Sequence, residues 1–298
     1  EDRPKSKFFI DNLFDDFISL SGDRFYGEDK SVLTGFAKFN GTSVLVIGQE
    51  KGENLESRIE RNFGMMRPEG YRKTIRLMNL ANKFNIPIIS FIDTPGAYPG
   101  VGAEERGQAE AIAKSIECCM ELSVPTLAII IGEGGSGGAI ALASSNKVIM
   151  LENAIYSVIS PEGCATILWR DPKKMLDAAK AMKLSAKDLL ELKVIDEIIL
   201  EPLGGAHRDR DQMLESLKDS ISKNLNYFKE LSSEEIMNER KNKFLKIGRN
   251  QGFISNSEDL STLTIKNNNF DKILKSKKVL IGSIIAALAI LITIVSLL

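Results

Sequence analysis

Five glycines crowd residues 132–138, which read Gly-Glu-Gly-Gly-Ser-Gly-Gly. They follow an apolar run over residues 125–131 and precede Ala139, Ile140, Ala141, Leu142 and Ala143. The pattern predicts a buried strand that ends in glycine and turns at once into a helix of small residues. A backbone without Cβ atoms turns sharply and lets a ligand approach its N–H groups. At a helix N-terminus such N–H groups favour negative charge. The chemistry expected here is stabilisation of an anion or oxyanion by main chain.

The same residues offer a second chemistry. Gly134-Gly135-Ser136-Gly137-Gly138 matches G-x-S-x-G, the nucleophile elbow of α/β-hydrolases. Ser136, an acid such as Asp196, and His207 follow in the right chain order for a triad. Against it, His207 is the only histidine, sits in a Gly-Gly-Ala-His-Arg turn, and the short pattern is common by chance. A third account is purely structural, with glycines packing a tight turn. A second glycine-rich loop, residues 93–102 (DTPGAYPGVG), also follows an apolar run and precedes a helical one. Two such loops one strand–helix unit apart belong side by side at the carboxyl edge of a parallel sheet, where α/β folds bind ligands. Neither loop continues into Gly-Lys-Ser/Thr, so neither is a nucleotide-binding P-loop. Tyr98 is placed to stack on a planar ligand, although packing is the commoner use of such a ring. The basic, aromatic stretch 61–73 opens a helix and suits phosphates, an acidic partner or plain solvent exposure.

Those loops need elements to hold them. Phe8, Phe9, Leu13, Phe14, Phe17 and Ile18 recur at helical spacing and predict one amphipathic helix ending near Ser21-Gly22. Residues 32–39 and 43–48 predict a hairpin turning at Asn40-Gly41. Helices are expected over 68–84, 104–122, 138–144, 171–182, 185–192 and 209–228, and strands over 86–92, 126–131, 147–151 and 154–158. Strand and helix alternate through short loops, which predicts an α/β fold with mostly parallel sheet. The 39 basic and 40 acidic side chains nearly cancel, so nothing in the bulk charge points to nucleic acid. Three cysteines, two of them adjacent, make neither a disulfide framework nor a CxxC metal pair. Past residue 228 the chain turns polar and basic, and residues 279–298 carry no charge. At about 1.5 Å per residue that stretch reaches roughly 30 Å, the thickness of a bilayer core, and is a candidate transmembrane anchor.

Residues 61–73 (RNFGMMRPEGYRK), 91–107 (FIDTPGAYPGVGAEERG), 131–139 (IGEGGSGGA), 156–169 (YSVISPEGCATILW) and 201–207 (EPLGGAH) together resemble the α subunits of bacterial and plastid acetyl-CoA carboxylase carboxyltransferase. The resemblance covers roughly residues 10 to 210 and implies a crotonase-like ββα superhelix. It implies transfer of a carboxyl group from N1-carboxybiotin, borne by a biotin carboxyl carrier protein, to acetyl-CoA, giving malonyl-CoA for fatty acid synthesis. It implies backbone donation from Gly137 and Gly138 to the biotin ureido oxygen, with Gly134, Gly135, Thr94, Pro95, Gly96, Ala97 and Tyr98 around biotin. Partners implied are a zinc-bearing β subunit in an α2β2 assembly, the carrier protein and biotin carboxylase, with no metal on this chain and a cytoplasmic or plastid-stroma location. Where the family usually shows Gly-His-Gln-Lys-Gly, this chain has Gly48-Gln49-Glu50-Lys51-Gly52. The family's helical N-terminal extension is expected to be absent or shortened, and the apolar tail is unusual for it. The organisation expected is a carboxyltransferase domain over 1–230, a Lys/Asn-rich helical extension and linker over 231–276, and an anchor over 277–298. The alternatives are a serine hydrolase using Ser136 and His207, or a non-catalytic membrane-tethered homologue.

Overall fold

In the computed structural model, residues 2–248 are described. Eight strands make up the sheet: β1 (Asp15–Ser19), β2 (Val32–Phe39), β3 (Thr42–Gln49), β4 (Ile88–Thr94), β5 (Thr126–Gly135), β6 (Lys147–Leu151), β7 (Ile155–Ser157) and β8 (Glu197–Ile199). Their spatial order is β1-β2-β3-β4-β5-β6-β8, with β7 pairing on β5. The β2–β3 hairpin is antiparallel and closes at Asn40-Gly41, both at positive φ (47° and 78°), the backbone a two-residue hairpin turn demands. From β3 through β8 the neighbours run parallel. Strand β4 is buried at every position, as expected of a parallel strand covered on both faces.

The helices are α1 (Ser6–Leu13), α2 (Leu55–Glu60), α3 (Pro68–Lys83), α4 (Val101–Glu105), α5 (Gln108–Glu121), α6 (Ser136–Ala143), α7 (Pro161–Trp169), α8 (Met175–Met182), α9 (Ala186–Glu191), α10 (Arg210–Lys229) and α11 (Ser233–Lys246). Helix α1 lays Phe9 and Ile10 on the sheet, where the Phe9 ring stacks on Phe91 of β4 at 5.7 Å. Proline at the first position starts α3, where its missing N–H loses nothing.

Strand β5 changes partners along its length. Leu127–Ile130 pairs with β6, whereas Glu133, Gly134 and Gly135 pair with β7. The ten-residue strand thus carries the glycine segment past the end of β6 and up to α6, still paired to β4 at Gly134.

Several sequence expectations change. The first helix ends at Leu13, and residues 15–19 form β1, an exposed edge strand on β2. Pairing along the open edge of β2 outweighs the helical spacing of Phe17 and Ile18 there. The helix expected over 104–122 starts earlier and breaks at Gly107, which sits at φ 82° between α4 and α5. Helix α7 and strand β8 were not expected. Helix α11 returns to the body of the fold and buries Ile236 and the whole Arg240 side chain. No helix among the described residues is long and apolar enough to cross a membrane. The candidate span over 279–298, like most of the expected linker, lies outside the described residues.

Candidate functional site

The two glycine-rich loops meet at the carboxyl edge of the sheet, where Thr94 of β4 pairs with Gly134 of β5. Their backbones touch. A Cβ on Gly135 would stand 2.1 Å from the Pro95 carbonyl oxygen, and one on Gly138 would stand 2.6 Å from the Gly96 carbonyl carbon. No side chain fits either gap, so packing alone requires glycine at both positions. Gly137 differs, because a Cβ there would meet only Ile112 at ordinary contact, 3.5 Å. The interlocked loops therefore explain Gly135 and Gly138 structurally and leave Gly137 unexplained by packing.

Helix α6 begins without a side-chain cap on its N-cap residue Gly135. Its first-turn N–H groups have no partner within the helix. Ser136 enters the turn in the left-handed region, φ 51°, and Gly137 continues in the helix. A left-handed residue beside a right-handed one is the backbone pairing from which anion-binding concavities are built.

A buried polar relay fixes this turn. Gln49, at the end of β3 and fully buried, donates from Nε2 to the Gly138 carbonyl (2.8 Å) and accepts at Oε1 from the Asp93 N–H (3.2 Å). The Asp93 carboxylate accepts the Glu133 N–H at 3.0 Å and pairs with Lys51 at 2.9 Å. Lys51 also pairs with Glu133. Burial alone would lower the Lys51 pKa, but the two carboxylates outweigh it and hold the ammonium above its ordinary value. A cleft of about 410 Å³ opens beside Gly132 and Glu133, rimmed by Lys5, Lys51 and Arg58. Burial pulls the Lys5 ammonium below its ordinary value, against the nearby Asp93 carboxylate and with the cations Lys51 and Arg58. Roomier grooves of about 560 and 740 Å³ lie elsewhere and are lined by none of the glycine-loop residues.

The structure brings Gly134, Gly135, Gly137, Gly138, Thr94, Pro95, Gly96 and Ala97 into one ledge. Thr94 is buried and uses its hydroxyl inside its own turn, donating to the Gly96 carbonyl at 2.7 Å. Tyr98 is half-buried, and the Arg67 guanidinium covers one ring face at 4.5 Å, leaving at most one face for stacking. Gln108 holds the carbonyls of Met66 and Tyr98, fixing that loop to α5. The hydrolase triad is not assembled. Asp196 serves the Val148 N–H and the Lys243 ammonium. His207 lines a separate cavity with Arg3 and Asn153. The organising roles of Gln49 and Asp93 are not read from the sequence, although Gln49 stands out there as the departure from the family's usual histidine and Asp93 opens the second glycine-rich loop. Among the described residues, no three His, Cys, Asp or Glu side chains gather so as to hold a metal ion.

This architecture matches solved carboxyltransferases and a decarboxylase. The chain superposes on transcarboxylase 12S, with methylmalonyl-CoA and methylmalonic acid bound, at a TM-score of 0.61 and 19% identity over 75% of its length, spanning 42% of that chain. It superposes on a Pseudomonas malonate decarboxylase hetero-tetramer in complex with coenzyme A at a TM-score of 0.62 and 14% identity, covering 80% of this chain and 91% of that one. The fold is thus the crotonase-like α/β fold of the carboxyltransferases. Sequence takes the assignment further. A family described as acetyl co-enzyme A carboxylase carboxyltransferase-like matches residues 1–248. The acetyl-coenzyme A carboxylase carboxyl transferase subunit alpha of Pelagibacter ubique (strain HTCC1062) is 80% identical over 276 residues, 93% of this chain and 75% of the relative. That of Rhodopseudomonas palustris (strain BisA53) is 55% identical over 250 residues, 84% of this chain and 78% of the relative. The chain belongs to the family of acetyl-CoA carboxylase carboxyltransferase α subunits, and its enzymatic class is transferase.

Proposed function

We propose that this subunit transfers a carboxyl group from carrier-borne N1-carboxybiotin to acetyl-CoA, forming malonyl-CoA, and that its own contribution is a main-chain oxyanion site at the start of α6. Bound carboxybiotin supplies the carboxyl group, and its ureido oxygen gains negative charge as that group leaves. The N–H groups of Gly137 and Gly138 suit an oxygen of that kind: they stand in the first turn of a helix with no capping side chain, after a left-handed residue. Preorganised donors need no reorganisation as charge develops, and each typically contributes about 3–4 kcal/mol to the transition state. The observation that carries the proposal is left-handed Ser136 followed by helical Gly137 on a helix with no capping side chain. No side-chain base is required, because the ureido nitrogen that gives up the carboxyl group takes the methyl proton of acetyl-CoA, which suits a ledge made almost wholly of backbone.

The rest of the active site comes from a partner. Helices α7 and α8 pack on each other and leave Val158, Ile167, Leu168, Met175 and Leu176 substantially exposed. Large apolar side chains left exposed on and just before one packed helix pair suit an interface. It follows directly after β7, the strand paired to the glycine end of β5. We assign it to the β subunit, in an α2β2 enzyme.

The test is a matched pair at Gly137, the one glycine between Gly134 and Gly138 whose Cβ is tolerated. Gly137→Pro deletes one N–H in the first helical turn, where no preceding carbonyl clashes with the ring, but it also presses on the left-handed Ser136 before it, so thermal midpoints of both variants are recorded; Gly137→Ala keeps the N–H. With β subunit co-expressed, malonyl-CoA formation from carboxybiotin and acetyl-CoA is expected to fall about 10²–10³-fold more in the proline variant. Equal rates in the two variants would remove the backbone donor from the mechanism.

A further inference from the structure

We propose that Gln49 is a positioning residue for carboxyl transfer: it sets the orientation of the Gly137–Gly138 donor pair from behind, without touching substrate. The proposal rests on the donor role given to Gly137 and Gly138 above. Gln49 is completely buried and bridges the first turn of α6 to the end of β4. Its Nε2 donates to the carbonyl of Gly138, the residue whose N–H is one of the proposed donors. Its Oε1 takes the N–H of Asp93, at the end of β4. Its own carbonyl is held by the Ser6 hydroxyl at 2.5 Å, so the clamp stands on a fixed base.

Geometry explains why the turn needs such a clamp. On one side, the first turn of α6 rests on the Gly96–Ala97 backbone, with no side chain between. That contact prevents approach but does not prevent rotation of the turn about its axis. The Gln49 bond to the Gly138 carbonyl supplies the missing restraint from the sheet side. An amide suits the task chemically. It donates and accepts at once, and it does so at every pH, because it does not titrate.

Imidazole is the informative replacement. Neutral histidine also has one donor and one acceptor nitrogen, while the protonated ring has two donors and loses the acceptor for the Asp93 N–H. The experiment uses the enzyme co-expressed with its β subunit, measuring kcat and KM for acetyl-CoA from pH 5.5 to 8.5, with thermal midpoints recorded alongside. Gln49→Leu is expected to lower kcat at least about tenfold with KM changed less than threefold. Gln49→His is expected to recover most of that kcat at high pH and to lose it as pH falls below about 6.5, an acid limb that the native enzyme lacks. Native kcat in Gln49→Leu, or a fully active Gln49→His with an unaltered pH profile, would overturn the proposal. If Gln49→Leu fails to fold, the histidine profile decides alone: an acid limb supports the clamp, and a folded histidine variant equally slow at every pH overturns it. Failure here is separable from failure of the donor assignment. Normal Gln49 variants beside a slow Gly137→Pro leave the donors and remove the clamp; equal Gly137→Pro and Gly137→Ala rates remove the donors themselves.

Discussion

At the amino end of the sheet, where α5 stops and β5 starts, the carbonyls of Cys119, Leu122 and Val124 accept from the Arg240 guanidinium at 2.8, 2.5 and 2.7 Å. Asn146 accepts from the same group with Oδ1 and donates to the Ile236 carbonyl. At the carboxyl end of that same strand, the first-turn N–H groups of α6 have no capping side chain. Both places are the ends of helices that leave backbone groups without helical partners. One end is saturated by a side chain brought from α11; the other is left open on a rigid ledge. A buried polar backbone group without a partner costs free energy, so folds satisfy such groups wherever a side chain will reach. On the function proposed above, the open end is the end kept for a ligand.

The strongest way to break the contrast is to open the closed end. Burial pulls the Arg240 pKa down to about 10, which still leaves it charged at neutral pH, and no carboxylate lies among its bonded partners. Arg240→Met fills similar volume but orphans three carbonyls and takes two of the bonds that Asn146 Oδ1 accepts. A loss of about 3–5 kcal/mol is expected, read as a lower urea midpoint. If the midpoint holds, saturation of that end is unimportant to the fold and the contrast loses its meaning.

A third region sharpens it at smaller scale. Asp23 accepts three consecutive N–H groups, from Phe25, Tyr26 and Gly27, at 2.7 to 3.0 Å, and the Arg72 guanidinium at 2.8 Å. Burial would raise its pKa, but those bonds outweigh burial and hold it at about 2. This loop is an anion cradle that the chain fills with its own carboxylate. Because the folded pKa lies below the ordinary carboxylate value, the stabilisation is fully present above about pH 4. It disappears as pH falls through about 2. Asp23→Asn is therefore expected to be less stable than the native chain at pH 6, with the difference shrinking steadily between pH 4 and pH 2. Urea midpoints across that range measure it, and a constant difference would mean the carboxylate charge is irrelevant there.

How much of this was legible beforehand follows from distance along the chain. The Asn40-Gly41 hairpin, helix α3 and the glycine turn announce themselves within a few residues, because turn chemistry, proline placement and apolar spacing are local. The side-by-side loops were legible as well, since adjacent parallel strands place their carboxyl ends together. Gln49 was not, because its partners lie 44 and 89 residues away. Arg240 was not, because Asn146 is 94 residues distant and a lone arginine in a polar stretch carries no mark of burial. Strand β1 was misread because edge pairing with β2 decides it, not its own periodicity. The glycines themselves were only half legible: close backbone contact explains Gly135 and Gly138, a cause that composition does not distinguish from ligand approach.

The smallest effect bears on the residue that aims the open end. Ser136 holds φ 51°, a left-handed conformation that disfavours a side chain by about 1–2 kcal/mol, partly offset in Ser136→Gly by the greater freedom of glycine in the unfolded chain. Ser136→Gly is therefore expected to raise the unfolding free energy by about 0.5–1 kcal/mol while malonyl-CoA formation stays within tenfold of the native rate. The same variant separates main-chain from side-chain chemistry, since it retains every N–H of the turn and deletes the only hydroxyl in it. A loss of turnover as large as that expected for Gly137→Pro would mean that the serine oxygen, not the backbone, performs the chemistry at the open end. Retained turnover with a raised thermal midpoint would leave Ser136 as the residue whose strain points the amides, tolerated because the interlocked glycine loops leave the turn no other path.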